Sequence, residues 1–222
     1  MDNADSYTFH RVPNTSANRF HGEPLISDQV SKADINLIWR ELEQVLADNI
    51  TGAVVEFGCY VGTTSLFIRR LLNKANEQTR PFHVYDSFEG LPQKATGDAS
   101  AAGVDFQAGK LAVSKKEFLR QFHIARLQPP IIHKGWFSAL DDDAVPNPIA
   151  FAFLDGDFYT SILDSLKLVW PNMAPKGTIL IDDYQRPELP GVEQAVHEFF
   201  QDKAMPIIRV EHNIAILRMG KS

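Results

Sequence analysis

The chain carries a single cysteine, Cys59, in 222 residues, so an intramolecular disulfide is excluded. Long apolar runs are missing too: a stretch such as Ile149 to Leu154 falls far short of the roughly 20 residues that span a bilayer. Positive charge is the scarcer sign. Twenty-two basic residues against 28 acidic ones give a formal charge of -6, the wrong balance for neutralising phosphates along a nucleic acid. Met1 to Val12 is broken by Asp2, Asn3, Asp5 and Ser6 and cannot supply the apolar segment of a signal peptide. The expected compartment is the cytosol, with neither nucleic acid nor membrane as partner. No internal repeat or low-complexity tract occurs.

What remains is an ordinary globular composition, 44% hydrophobic and 23% charged, in a chain long enough to remove about 70% of its unfolded surface from water without a metal or disulfide to hold it. From Ala53 onward apolar runs alternate with amphipathic stretches, the pattern of strand and helix units that build a mainly parallel sheet. Seven strands are expected: Ala53 to Phe57, Phe82 to Tyr85, Ile131 to Lys134, Ile149 to Leu154, Thr178 to Ile181, Ile207 to Val210 and Ile214 to Arg218. Only Glu211, His212 and Asn213 separate the last two, which suits an antiparallel hairpin and leaves no room for a parallel crossover.

Ile35, Ile38, Leu42 and Val45 form a helical stripe behind Ser31-Lys-Ala-Asp34, which has capping-box spacing, and Ser114 to Glu117 repeats that signature before Phe118 and Phe122. Ile162, Leu166 and Val169 mark a helix stopping before Pro171, and Val192, Ala195, Val196 and Phe199 mark the last one. Two segments break the alternation, Met1 to Val30 and Ser87 to Gly109, and both are candidate lids. The expected organisation is an N-terminal lid over residues 1–30 and one domain over residues 31–222, α/β in class, with helices on both faces of the sheet.

Three clusters carry chemistry. Val54 to Ser65 runs as an apolar strand into Gly58 and Gly62 and then opens a helix, a cradle in which backbone N-H groups can meet a carboxylate or phosphate. An ordinary tight turn fits the two glycines as well, and no Walker lysine follows them. His83-Val-Tyr-Asp86 puts an acid at the end of the next strand, where nucleotide-binding folds hold a ribose diol; a turn or N-cap aspartate is the plainer alternative. Third, Asp155-Gly-Asp157 ends the fourth strand and Asp182-Asp183 ends the fifth. Converging carboxylates repel unless a cation lies between them, which makes Asp155, Asp182 and Asp183 candidate ligands of a hard divalent ion. Solvated aspartates capping the following helices are the alternative.

Other residues read more simply: Cys59 as a small buried residue, Asp141 to Asp143 as a solvated loop, Lys115 and Lys116 as a solvated helix face. His10, Arg19 and His21 could touch substrate from the N-terminal segment.

Glu56-Phe-Gly58, Asp86-Ser-Phe-Glu-Gly-Leu-Pro92, Gly135-Trp-Phe137, Leu154-Asp-Gly-Asp-Phe-Tyr159 and Ile181-Asp-Asp-Tyr184 occur in that order. With them the chain resembles the macrocin O-methyltransferase (TylF-type) family over roughly Ile35 to Arg218. The family consists of class I methyltransferases that use S-adenosylmethionine and Mg2+ to methylate sugar hydroxyls in antibiotic biosynthesis. The resemblance implies a Rossmann-like fold in which Glu56, Gly58, Gly62 and Thr64 line the methionine end of the cofactor. Asp86 and Ser87 would meet the ribose, Trp136 the adenine, and Asp155 both cofactor and metal. It also implies a small-molecule hydroxyl acceptor, with a sugar or other vicinal diol as the best class, and a homo-oligomer. In the related catechol-type enzymes a lysine three residues after the first metal aspartate acts as base; here that position is Phe158. The role of base then passes to Asp157, or to Asp155. Two alternatives stand beside this reading: a metal-dependent hydrolase using the aspartate cluster, and a catalytically silent binding module.

Overall fold

The computed structural model describes residues 23–204 and 206–220. Its elements, in chain order, are α1 (Lys32–Ala47), β1 (Ala53–Phe57), α2 (Thr63–Lys74), β2 (Phe82–Asp86), α3 (Lys115–Ala125), β3 (Ile131–Lys134), β4 (Ile149–Leu154), α4 (Tyr159–Val169), β5 (Met173–Ile181), α5 (Pro190–Phe199), β6 (Ile208–Glu211) and β7 (Ile214–Arg218). The seven strands form one sheet in the order β3-β2-β1-β4-β5-β7-β6. β1 to β5 pair in parallel, and β7 runs antiparallel to both β5 and β6.

Strand alternation divides the core between the two faces. Val54, Phe151, Phe153, Leu180 and Ile216 point to the layer built with α1 and α2, whereas Val55, Phe57, Ala152, Leu154, Ile179 and Leu217 point to the layer of α4 and α5. β4 is buried at all six positions, as its unbroken apolar run requires when helices cover both faces. Each fully buried Leu, Ile or Phe contributes about 1.5–3 kcal/mol relative to exposure, so the central strands hold the edge on which the site is built.

The caps follow the sequence with one exception. Ser31 and Asp34 make both halves of a capping box on α1. Ser114 accepts from the Glu117 N-H, but the Glu117 side chain turns to Arg120 and Gln121, so only half the box forms on α3. β5 begins five residues earlier than expected, at Met173, and β6 covers Ile208–Glu211 in place of Ile207 to Val210. Glu211 pairs with Ile214, so the hairpin loop is only His212 and Asn213, both at positive φ (53° and 59°), the backbone of a tight primed turn. Glu41 on α1, 2% exposed, accepts from Arg40, Arg209 and Arg218 and so fastens that helix to the hairpin.

The strand order reverses between β1 and β4, which places the ligand crevice of an open α/β sheet outside the carboxyl ends of those two strands. Among the described residues no helix is long and apolar enough to cross a membrane.

Candidate functional site

The sheet's hydrogen bonding continues one residue past its strands and lines up the site. Gly135 donates to the Asp86 carbonyl, Gly58 to Tyr85, Asp155 to Phe57 and Asp182 to Leu154. Asp86, Gly58, Asp155 and Asp182 therefore stand in a row along the carboxyl edge. Gly58 has φ of 84°, and a Cβ there would lie 1.8 Å from the Asp155 carbonyl oxygen, so only glycine allows the two central strands to approach this closely. Gly62 (φ 97°) opens α2 with no side-chain cap, and its missing Cβ makes room for the Phe118 ring.

Asp86 is the clasp of the glycine turn. Its Oδ2 accepts from the Cys59 and Tyr60 N-H groups at 2.9 and 3.3 Å, and its Oδ1 accepts from the Phe88 N-H at 2.6 Å. The turn reading of this residue is thus realised, and the carboxylate also lines the cavity. Behind it Glu56 is fully buried. Ser65 donates to one of its oxygens, while Oε1 has no partner among the described residues. Burial pushes the Glu56 carboxyl up to about 8, with Ser65 opposing and Asp86 adding to the rise. Burial likewise drives the Cys59 thiol well up, consistent with an unreactive small residue.

Carboxylate oxygens of Asp155, Asp157 and Asp183 lie within 4.8 Å of one another. The closest trio among the described residues thus contains Asp157, whereas the sequence reading grouped Asp155 with Asp182 and Asp183. Asp182, partly buried, precedes Asp183 in the chain and adds to the repulsion felt by Asp155. Asp157 and Asp183 sit at φ of 60° and 54°, a conformation that non-glycine residues tolerate mainly where the surroundings impose it. Burial is the largest cause raising all four carboxyls; repulsion from neighbours in the cluster comes next at Asp155, Asp157 and Asp182, and Asp157 reaches about 8. At Asp183 the Arg186 guanidinium opposes the rise, with smaller repulsion from Asp34 and Glu188, and Arg186 also offsets the rise at Asp157. Arg186 donates to Asp183 Oδ1 at 2.6 Å and is the single lysine or arginine among the described lining residues. An oxygen-only donor set with so little positive charge fits a hard divalent cation.

The cavity encloses about 800 Å³, including solvent at its mouth, within the range of small-molecule and cofactor sites. Gly58, Asp86, Ser87, Trp136, Asp155, Asp157, Asp182 and Asp183 line it; Glu56, Gly62 and Thr64 are not among its lining residues. Sequence reasoning missed Arg186, Tyr60 and the aromatic rim of Phe106 and Phe137. Arg186 had a usable signal, a lone cation three residues after the last aspartate of an acidic turn. Phe106 lies within the Ser87 to Gly109 segment. That segment is no free flap: it is fastened by the buried carboxylate of Asp98.

His10, Arg19 and His21 lie outside the described residues. From residue 23 onward the N-terminal segment does reach the site's flank, where Glu23 pairs with Arg70 at 2.6 Å, Ser27 bonds Thr63 at 2.9 Å, and Gln29 enters the cavity wall. Phe158 is fully buried and offers no proton acceptor. Asp141, Asp143, Lys115 and Lys116 are exposed, as expected.

The family model for macrocin-O-methyltransferase (TylF) matches residues 24–218. The chain is 32% identical over 164 residues to the 8-demethyl-8-(2,3-dimethoxy-alpha-L-rhamnosyl)-tetracenomycin-C 4'-O-methyltransferase of Streptomyces olivaceus, which spans 71% of this chain and 61% of that protein. It is 30% identical over 173 residues to the mycinamicin III 3''-O-methyltransferase of Micromonospora griseorubida, spanning 74% and 66% respectively. The matched region is thus under two thirds of the curated relatives' own length. Among solved structures, the O-methyltransferase NovP superposes with a TM-score of 0.73 at 27% identity, covering 84% of this chain and 79% of that one. The calicheamicin methyltransferase CalS11 shares the fold, with a TM-score of 0.70 at 20% identity, over 85% of this chain and 79% of that one.

Proposed function

The chain belongs to the macrocin O-methyltransferase (TylF) family, and on that footing we propose that it transfers a methyl group from S-adenosylmethionine to a hydroxyl of a sugar or other vicinal diol carried by a small molecule. The observation that carries the reading is the meeting of Gly58 and Asp155 at the switch point, which puts a nucleotide-type cradle and the aspartate cluster in one cavity.

S-adenosylmethionine supplies an electrophilic methyl on a positive sulfur, and Mg2+ supplies Lewis-acid activation of a hydroxyl. The rest is the work of this chain. Asp86 offers its carboxylate to the ribose diol, with Ser87 beside it, and Trp136, 36% exposed at the mouth, offers a face to the adenine. Gly58, Gly62 and Thr64 shape the methionine end. The unpartnered Glu56 Oε1 is an acceptor suited to an ammonium. Asp155, Asp182 and Asp183 would hold the cation. Asp157 takes the acceptor's proton on a carboxylate oxygen, because its oxygen lies within 4.8 Å of those of Asp155 and Asp183 and so within reach of a hydroxyl held there. Holding that oxygen in line with the methyl is where most of the rate would come from. The N-terminal segment, whose Gln29 already enters the wall, would cover the acceptor.

Transfer of labelled methyl from S-adenosylmethionine to a panel of glycosides and diols, with and without EDTA, tests this. Metal-dependent labelling of a diol or glycoside is expected. Full labelling in EDTA would remove the metal, and no labelling of any hydroxyl compound together with no S-adenosylhomocysteine binding would remove the function.

A further inference from the structure

Asp98 is 1% exposed, although it lies in a loop rich in glycine and alanine that joins β2 to α3. Its Oδ1 accepts from the Tyr159 N-H at 2.7 Å and its Oδ2 from the Ala95 N-H at 2.8 Å. Tyr159 is the first residue of α4, and Phe158 before it supplies no side-chain cap, so Asp98 satisfies a donor that the helix leaves open. The same Oδ1 lies against Gly191 near the start of α5, where a Cβ would come within 1.9 Å of it; α5 has no side-chain cap either. One carboxylate thus caps α4 by a hydrogen bond and packs against the start of α5.

These helices follow the two acidic turns. Tyr159 comes two residues after Asp157, and α5 follows the turn of Asp182, Asp183 and Arg186. The loop grips the second turn as well: Ser100 Oγ donates to the Pro187 carbonyl at 2.7 Å, and a Cβ on Gly103 would lie 2.1 Å from the Glu188 carbonyl. Lys94 Nζ donates to the Gly103 carbonyl at 2.7 Å and closes the loop on itself. Asp155 and Asp182 are fixed by the strand ladder, but Asp157 and Asp183 lie beyond it in left-handed conformations. Mutual repulsion, only partly offset by Arg186, works against the close approach of the two turns.

We propose that Asp98 is a positioning residue for the cation site: through the Tyr159 N-H and the start of α5 it holds the Asp155–Asp157 turn against the Asp182–Asp183 turn. The proposal rests on the metal reading given above. It assigns the loop the task of setting the spacing of the carboxylates.

Mn2+ binding followed by electron paramagnetic resonance, with S-adenosylhomocysteine binding by calorimetry on the same samples, tests it. Asp98→Ala should weaken Mn2+ binding at least about tenfold and alter the Mn2+ spectrum, while S-adenosylhomocysteine affinity stays within about twofold, because Asp86 and the glycine turn do not touch Asp98. Asp98→Asn keeps an oxygen for the Tyr159 N-H but loses the acceptor for the Ala95 N-H, and should bind Mn2+ more tightly than Asp98→Ala and less tightly than the wild type. Equal Mn2+ affinity in wild type and Asp98→Ala would overturn the proposal alone, as would parallel loss of both ligands or an asparagine variant no better than alanine. A wild-type protein that binds no Mn2+ would overturn the metal reading and the proposal together. One measurement needs no variant: coupling is reciprocal, so Mg2+ should slow amide exchange at Ala95 and Tyr159 at least about threefold. Unchanged exchange there would also overturn the assignment.

Discussion

Gly58 and Asp155 meet backbone to backbone, with room for no Cβ between them: one built on Gly58 would stand 1.8 Å from the Asp155 carbonyl oxygen. Gly58→Ala therefore carries two costs, a left-handed φ for a residue with a side chain, about 1–2 kcal/mol, and separation of β1 from β4. A fall in stability of about 3 kcal/mol or more and loss of S-adenosylhomocysteine binding are expected by thermal melting and calorimetry. Gly109 has a similar φ of 79° with nothing within 4 Å of a built Cβ, so Gly109→Ala should show only the conformational cost.

Asp86→Ala removes three backbone hydrogen bonds as well as the carboxylate facing the cavity. Cofactor affinity should weaken at least about tenfold, on the order of 1.4 kcal/mol, and the melting temperature should drop with it. Unchanged affinity by titration calorimetry would take Asp86 out of the cofactor site.

Asp182 and Asp157 should separate metal binding from proton transfer. Asp182→Asn is expected to abolish metal-dependent methyl transfer while S-adenosylhomocysteine still binds, since the glycine turn and Asp86 belong to β1 and β2. Asp157→Asn should keep Mn2+ binding and lower turnover by about 10²–10⁴-fold, the usual loss of a general base. If Asp157→Asn loses Mn2+ as completely as Asp182→Asn, then Asp157, a member of the closest trio, is a ligand as well.

Acid should strike the hairpin through Glu41. Burial opposes its ionisation, but the hydrogen bonds and charges of Arg218, Arg40 and Arg209 outweigh it and hold the carboxyl below its ordinary 4.5. A depressed folded value means that its stabilisation is present above the unfolded value and is lost as pH falls below about 4.5 through the folded one. Glu41→Gln leaves Arg209 and Arg218 unmatched, while Arg40 keeps Glu211, and should cost about 2–3 kcal/mol at pH 7, less than a fully buried pair because the arginines are half exposed. The variant's stability, measured by denaturant titration, should fall less steeply below pH 4.5; identical slopes would remove Glu41 as the source.

Strand positions, the closing hairpin and the membership of the aspartate cluster were legible from residue order because each is a local property. β4 must be buried on both faces when six consecutive residues are apolar, and two residues between β6 and β7 permit only a reversal. The sequence also determined which residue types reach the sheet's carboxyl edge, since Asp86 ends β2 and Asp155 and Asp182 directly follow β4 and β5.

Tertiary structure alone decided which of them touch. The left-handed turns at Asp157 and Asp183 bring Asp157 into the tightest carboxylate trio, a placement set by backbone angles that residue spacing does not encode. Packing from elsewhere in the chain decided the rest: Phe118 fills the space that Gly62 leaves, and Arg186 pairs with Asp183 over an aromatic rim drawn from two loops. Asp98, one acid among 28 in the sequence, is distinguished only by the two helix ends that converge on it. A side chain's hydrogen-bond partners come from segments distant in sequence, so that role becomes visible only when the chain has folded.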